Sequence, residues 1–187
     1  MATKRIRIGG IIKDAVMRDL TQAFTTLGYK AARDAYRSKT YKNRTFNLHD
    51  SYGSAVYVNG KLVEDSIRYV NRSRSTRPDR HGRNQGGRTG RQALKNFFKT
   101  AWVVRKRDNF TILVAAAMWY AKIVEDKGYV VLNHSEIKQS ILSNFDSVVR
   151  PVLKKHNIES LMPALRRGIG ADMDYYRERM SGGGEYE

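Results

Sequence analysis

Between residues 68 and 107 the chain carries thirteen basic side chains (Arg68, Arg72, Arg74, Arg77, Arg80, Arg83, Arg88, Arg91, Lys95, Lys99, Arg105, Lys106 and Arg107) against one acid, Asp79. That stretch nets +12 of the formal +17 of all 187 residues, so the charge is concentrated rather than spread. Guanidinium forks grip phosphate oxygens two at a time, with an affinity that falls steeply as salt rises. In SRSTRPDRHGRNQGGRTGR the arginines alternate with Gly, Ser, Asn and Thr, a composition that cannot bury itself and predicts a basic loop over 71–91. Arg72, Arg74, Arg77, Arg80, Arg83, Arg88 and Arg91 are the candidate polyanion ligands. A charge run is ordinarily a solvated surface, but like charges at this density repel one another unless a polyanion neutralises them, and polyanion contact is the favoured reading.

Catalytic constellations are sparse. His49, His81, His134 and His156 lie far apart, none at the spacing that sets two metal ligands on one helix face, and no metal or cofactor is expected. GGRTGRQ lacks the Lys-Ser/Thr ending of a phosphate loop and reads as spacer. Pro78-Asp79 followed by Glu125-Asp126-Lys127 loosely matches a magnesium-dependent nuclease pattern, in which two carboxylates hold the metal and the lysine helps to activate water. That chemistry needs both carboxylates on neighbouring strands of a rigid sheet, and Asp79 falls in the loop-like stretch. The favoured reading of Glu125 to Lys127 is a solvated turn after an apolar run. Tyr175 and Tyr176 precede Arg177, but the His-x-x-Arg box of a tyrosine recombinase is missing. Paired tyrosines more often pack on a partner, because they supply large contact area at low entropic cost.

The elements that must position these residues are legible in outline. Val16, Leu20, Ala23, Phe24, Leu27, Ala31 and Ala35 recur at three-and-four spacing and predict a long amphipathic helix over Lys13 to Arg37, weakened by Gly28. Asn59-Gly60 between Ala55–Val58 and Lys61–Val63 predicts a tight hairpin. A short helix over Gln92 to Lys99 follows, then AWVV and Phe110–Ala115 as a second hairpin turning at Asp108-Asn109. Val130 to Leu132 suggest a short strand. Asn133 and Glu136 form a capping-box variant before a helix lined by Ile137, Ile141, Phe145, Val149 and Val152, with Pro151 kinking it or marking its last turn. A further helix is expected between Ile158 and Arg179.

The expected class is α+β: an N-terminal amphipathic helix and a curved antiparallel sheet of hairpins, packed by C-terminal helices. Residues 1–155 form one domain, 156–180 a helical arm and 181–187 a disordered tail. The 41% apolar content supports a real core, and the lack of cysteine excludes disulfides and thiolate chemistry. The opening MATKRIRIGGIIKDAV has no apolar stretch of signal-peptide length, and no run approaches a membrane span, so an intracellular or particle-borne protein without membrane partners is expected.

Two segments resemble a known family. RTFNLHDS (Arg44 to Ser51) resembles the Thr-Gly-Asn-Leu-x-x-Ser segment of the neck, head–tail connector or tail-completion proteins of tailed double-stranded-DNA bacteriophages, through Thr45, Asn47, Leu48 and Ser51. MWYAKIVEDKGYVVL (Met118 to Leu132) resembles their Tyr-Ala-x-x-Val-Glu-x-Gly element through Tyr120, Ala121, Val124, Glu125 and Gly128. Phe46 stands where the family has glycine, and Asp126 and Lys127 lengthen the Glu-Gly spacing. The resemblance implies a non-enzymatic virion protein assembling as a homo-oligomeric ring at the head–tail junction, around the DNA channel, after synthesis in the host cytoplasm. Portal-side adaptor and tail proteins would be its neighbours, the basic loop would meet either the double-stranded DNA of the channel or an acidic surface of a portal-side partner, and Tyr120 and Glu125 would be assembly contacts; Tyr175 and Tyr176 are added to these on their packing chemistry alone. The alternatives are a free nucleic-acid-binding protein without sequence preference and the magnesium-dependent nuclease. No helix-turn-helix, zinc finger or aromatic RNA-binding strand is present to read bases.

Overall fold

The computed structural model describes residues 10–42, 48–66, 90–101, 110–117 and 121–166. Their order is helix α1 (Gly10–Ser38), a 3-10 turn (His49–Ser51), strands β1 (Tyr52–Val58) and β2 (Lys61–Asp65), helix α2 (Gly90–Thr100), strand β3 (Phe110–Ala116), helix α3 (Ala121–Asp126), helix α4 (His134–Lys155) and a second 3-10 turn (Glu159–Leu161). This is the expected α+β class. No helix among the described residues is long and apolar enough to cross a membrane.

The sheet is antiparallel with order β2-β1-β3. Asn59 (φ 54°) and Gly60 (φ 75°) both take the left-handed angles that a primed two-residue turn requires, which is why Asn-Gly specifies the β1–β2 hairpin. The ladder shifts between Val56 and Tyr57, which pair with Glu64 and Leu62, leaving Val63 as the extra residue of a bulge. A bulge bends the strand that carries it, and here it leaves Leu62 and Val63 both exposed. β3 pairs with β1 along its whole length, from Tyr52↔Ala116 to Val58↔Phe110. The partner expected for β3 within AWVV lies, beyond Ala101, outside the described residues.

Strand alternation divides the core between two faces. Val56, Phe110 and Ile112 join Val16, Leu20, Phe24, Leu27, Phe145, Val149 and Leu153 on the side of α1 and α4, while Ala55, Tyr57, Leu113 and Ala115 meet Leu94 and Phe98 of α2 on the other. α1 and α4 thus form one outer layer and α2 the second. Ile158, Met162 and Leu165 fold back onto the first cluster.

α1 runs unbroken through Gly28. A Cβ there would stand 2.7 Å from Ser54 Oγ and 3.1 Å from Ile112 Cγ2, so the missing side chain is what lets the helix lie on β1 and β3. Ser54 cannot swing aside freely: its Oγ is 2.7 Å from Ser66 Oγ, inside a buried pair that ties β1 to the residue after β2.

α4 begins as the sequence suggests, with Asn133 Oδ1 accepting from Glu136 N at 3.3 Å. It passes through Pro151 to Lys155. Asn157, at φ 56°, closes it: Ile158 N donates to Leu153 O and Asn157 N to Lys154 O, the paired bonds of a Schellman stop. Val130 to Leu132 do not form the expected strand. Their polar groups are taken elsewhere: Val130 bonds Thr40, Val131 O accepts from Tyr52 OH, and Leu132 N donates to Glu125.

α1 and α4 are cross-linked in antiparallel register by Lys30–Asn144 (2.9 Å), Ser140–Asp34 (2.6 Å) and the Asp19 carboxylate, which accepts from Lys155 Nζ at 2.7 Å and lies 2.9 Å from His156 Nε2. The Lys155 hydrogen bond, followed by that to His156, holds the Asp19 carboxyl below its ordinary range. A carboxyl lowered on folding stabilises the fold above its unfolded pKa and loses that contribution as pH falls through the folded value. Asp19→Asn is therefore expected to be less stable than the parent near neutrality, with the difference closing as pH drops below the ordinary aspartate value of about 3.9. Urea midpoints of both chains measured across that range test this; a difference independent of pH would contradict it.

Candidate polyanion surface and assembly junction

α2 is the part of the basic stretch that the described residues include. Ala93, Leu94 and Lys95 are good helix formers, and Leu94 and Phe98, 0% and 1% exposed, pin one face to β1 and β3. Gly53 of β1 makes room: a Cβ there would sit 2.6 Å from Leu94 Cδ2. Tyr57 OH donates at 2.6 Å to Phe98 O, one of the last-turn carbonyls that the helix itself cannot satisfy. α2 is thereby fastened at its middle and at its C-terminal end.

The exposed flank beside that buried face carries Arg91, Lys95 and Lys99 at successive four-residue steps. Each step rises about 6 Å and rotates by roughly 40°, so the three cations form one ridge. Gln92, Asn96 and Thr100 make a parallel polar row. The helix contains no acid, and neither Lys95 nor Lys99 pairs with one among the described residues. Several cations of α4 and its continuation are paired, Arg150 and Arg166 sharing Asp146 and Lys155 holding Asp19, while Lys154 pairs with no acid among the described residues.

Arg91 is the one member of the candidate arginine set that is described, and it stands in the first turn of α2 rather than in a loop ending at residue 91. Arg72, Arg74, Arg77, Arg80, Arg83 and Arg88 lie outside the described residues, as do Tyr120, Tyr175, Tyr176, His81 and Asp79.

The two segments that carry the family resemblance meet around Tyr52. Leu48 and Tyr52, 4% and 0% exposed, share a cluster with Tyr41, Val131, Ala121 and Val124. Ser51 locks the first segment by donating from Oγ to Leu48 O at 2.8 Å, while its own carbonyl accepts from Ala117 N. Tyr52 OH donates to Val131 O at 2.7 Å, and its ring meets Tyr36 edge-on at 5.6 Å. Burial, more than the nearby Glu125 charge, pushes the Tyr52 hydroxyl far above the ordinary tyrosine range, so it remains a proton donor that fastens backbone. The Lys39 ammonium lies 4.6 Å from the Tyr36 ring centre and 5.4 Å from that of Tyr41.

Glu125 and Asp126 end the six-residue α3 instead of lying in the expected turn, and only Lys127 follows in one. Gly128 N donates to Glu125 O and Tyr129 N to Val124 O, with Gly128 at φ +82°. This is again a Schellman stop, and it explains why a glycine follows Val124-Glu125. Glu125 Oε1 accepts from Leu132 N at 3.1 Å, bracing the chain before α4, while the residue stays exposed. A nuclease reading needs this carboxylate on a strand; it stands at a helix end, hydrogen-bonded to backbone. Among the described residues no group of three or more His, Cys, Asp or Glu side chains could hold a metal ion. Compared with known proteins, the chain matches no family model, no curated protein and no solved structure.

Proposed function

We propose that this protein is a structural component of the neck of a tailed double-stranded-DNA bacteriophage, forming a ring at the head–tail junction whose basic surface contacts the phosphates of the DNA in the channel. The observation that carries this reading is the junction at Tyr52. Leu48 and Ser51 from one family-like segment, and Ala121, Val124 and Glu125 from the other, converge although they are remote in sequence. Their chemistry is that of packing and backbone bracing: a buried tyrosine donor, a glycine helix stop and a carboxylate on an amide. These support a scaffold rather than a reaction centre. The electroneutral stretch 108–187, with 10 basic and 11 acidic residues, suits contacts with neighbouring proteins, and Tyr120, Glu125, Tyr175 and Tyr176 are the proposed assembly contacts.

A free nucleic-acid-binding protein is the second reading, favoured by the cationic face of α2, which needs no ring to act. The two differ in a genetic test. Replacing Arg72, Arg74, Arg77, Arg80, Arg83 and Arg88 together by Gln is expected to leave the thermal midpoint of the purified chain unchanged. In phage carrying only that variant, joined, DNA-filled particles are expected to fall by about tenfold or more, since six phosphate partners per subunit are lost. Normal yields of infectious particles would overturn the proposal.

A further inference from the structure

We infer that α2 is a rigid phosphate-tracking ridge for double-stranded DNA, with Lys95 and Lys99 as backbone ligands that continue the line begun by Arg91. The inference rests on the DNA contact in the proposed function and names the folded element that makes it.

Three observations carry it. The ridge is built on an anchored element: Leu94 and Phe98 are sealed against the sheet, Gly53 admits the helix closely, and Tyr57 ties down Phe98 O. Cations fixed on a packed helix hold their spacing, which side chains on a mobile loop cannot do.

The ridge is also locally unfavourable. Arg91 sits in the first turn, where the helix dipole already concentrates positive potential and acids are preferred, yet the first turn has no acid and neither has the rest of α2. The Lys95 and Lys99 ammonium groups, which pair with no acid among the described residues, add to that positive potential, and an anion at this face would draw on both. Departures from local rules of this kind mark functional surfaces.

The chemistry, finally, is that of backbone contact. The cations are about 6 Å apart along the helix, a distance that two successive phosphates of one strand can span. The neighbouring exposed Asn96 adds an amide able to donate to a phosphate or sugar oxygen, and such contacts position a duplex without reading its sequence.

The test compares three full-length chains binding random-sequence duplex DNA from about 0.05 to 0.3 M salt: the parent, Lys95→Gln/Lys99→Gln, and Lys127→Gln/Lys154→Gln. The last pair removes the same charge from exposed sites elsewhere. Each lost phosphate contact is expected to reduce the steepness of log K against log salt by about 0.9, so the ridge variant should lose about 1.8 of slope and bind roughly thirtyfold more weakly at about 0.15 M salt. The control pair should keep the parent's slope, and Lys95→Arg/Lys99→Arg should restore it. Equal effects of the ridge and control pairs, an unchanged slope in the ridge variant, or loss of binding to polyglutamate with DNA binding intact would each overturn the inference. The neck assignment fails separately: a chain missing from particles would remove it and leave the slope change standing, whereas an unchanged slope in a particle-borne chain would remove only the ridge.

Discussion

Phe24→Ala is expected to lower the unfolding free energy by about 3–5 kcal/mol, the usual cost of emptying a buried aromatic site. Phe24 is 1% exposed and lies where three elements converge. Its ring stacks on Phe110 of β3 with centroids 4.8 Å apart and meets Phe145 of α4 at 6.3 Å. Val56 of β1 and Leu27 of α1 belong to the same cluster. Collapse of α1 into the space is resisted at Gly28, where there is not room even for a Cβ against Ser54 and Ile112. Total stability for a domain of this kind is about 5–15 kcal/mol, so the loss is a large share of it. Urea unfolding should show the midpoint falling with the slope unchanged, whereas Gln22→Ala, on the exposed side of the same helix, should stay within about 0.5 kcal/mol of the parent. A Phe24→Ala loss below about 1 kcal/mol would show that this cluster is not the core.

Phe98→Ala should cost a similar ~3–5 kcal/mol, but with a local signature. Phe98 belongs to the second cluster, on the other face of the sheet, and its carbonyl is the acceptor for Tyr57. Emptying that site weakens the hold on α2 while α1 and α4 keep their own cluster. Amide exchange is therefore expected to speed up first across Gly90–Ala101, with α1 and α4 retaining most of their protection. DNA affinity should fall with it, although no cation has been touched, because the ridge of Arg91, Lys95 and Lys99 depends on a fixed helix. Exchange in 90–101 matching the parent would contradict the claim that Phe98 holds α2. Lys95→Gln/Lys99→Gln is the converse case: stability kept, affinity lost.

Wherever one local rule dominates, the sequence is a good guide. Asn59-Gly60 can hardly be anything but a tight turn, and Leu20, Phe24 and Leu27 on one face make α1 visible although Gly28 opposes it. Asn133 announces α4 through its cap. Elements whose identity depends on partners are not legible in this way. Val130 to Leu132 have strand-like side chains, but Thr40, Tyr52 and Glu125 claim their hydrogen bonds before a ladder can form. α3 is six residues long, too short for a helical period to register. Gly28 reads as a weakness on propensity alone, and its value emerges only with Ser54 packed against it.

The site divides along the same line. The concentration of charge in 68–107 is plain from composition. The glycines of GGRTGRQ, however, make the loop seem to run through Arg91, whereas Gly90 is already helical and buried. Arg91, Lys95 and Lys99 therefore pass for members of a diffuse basic run, when their four-residue spacing makes them a ridge. Tyr52 and Tyr57 give no sign in sequence of being the donors that fix the junction and α2, since each acts on a carbonyl of a distant segment.

The neck assignment is tested most directly by counting this chain in purified, DNA-filled particles. Peptide mass spectrometry against the major capsid protein should find it at a low, fixed number of copies per particle, the amount needed for one or two rings at the head–tail junction. Its absence from such particles, or an abundance that varies from one preparation to the next, would contradict the account.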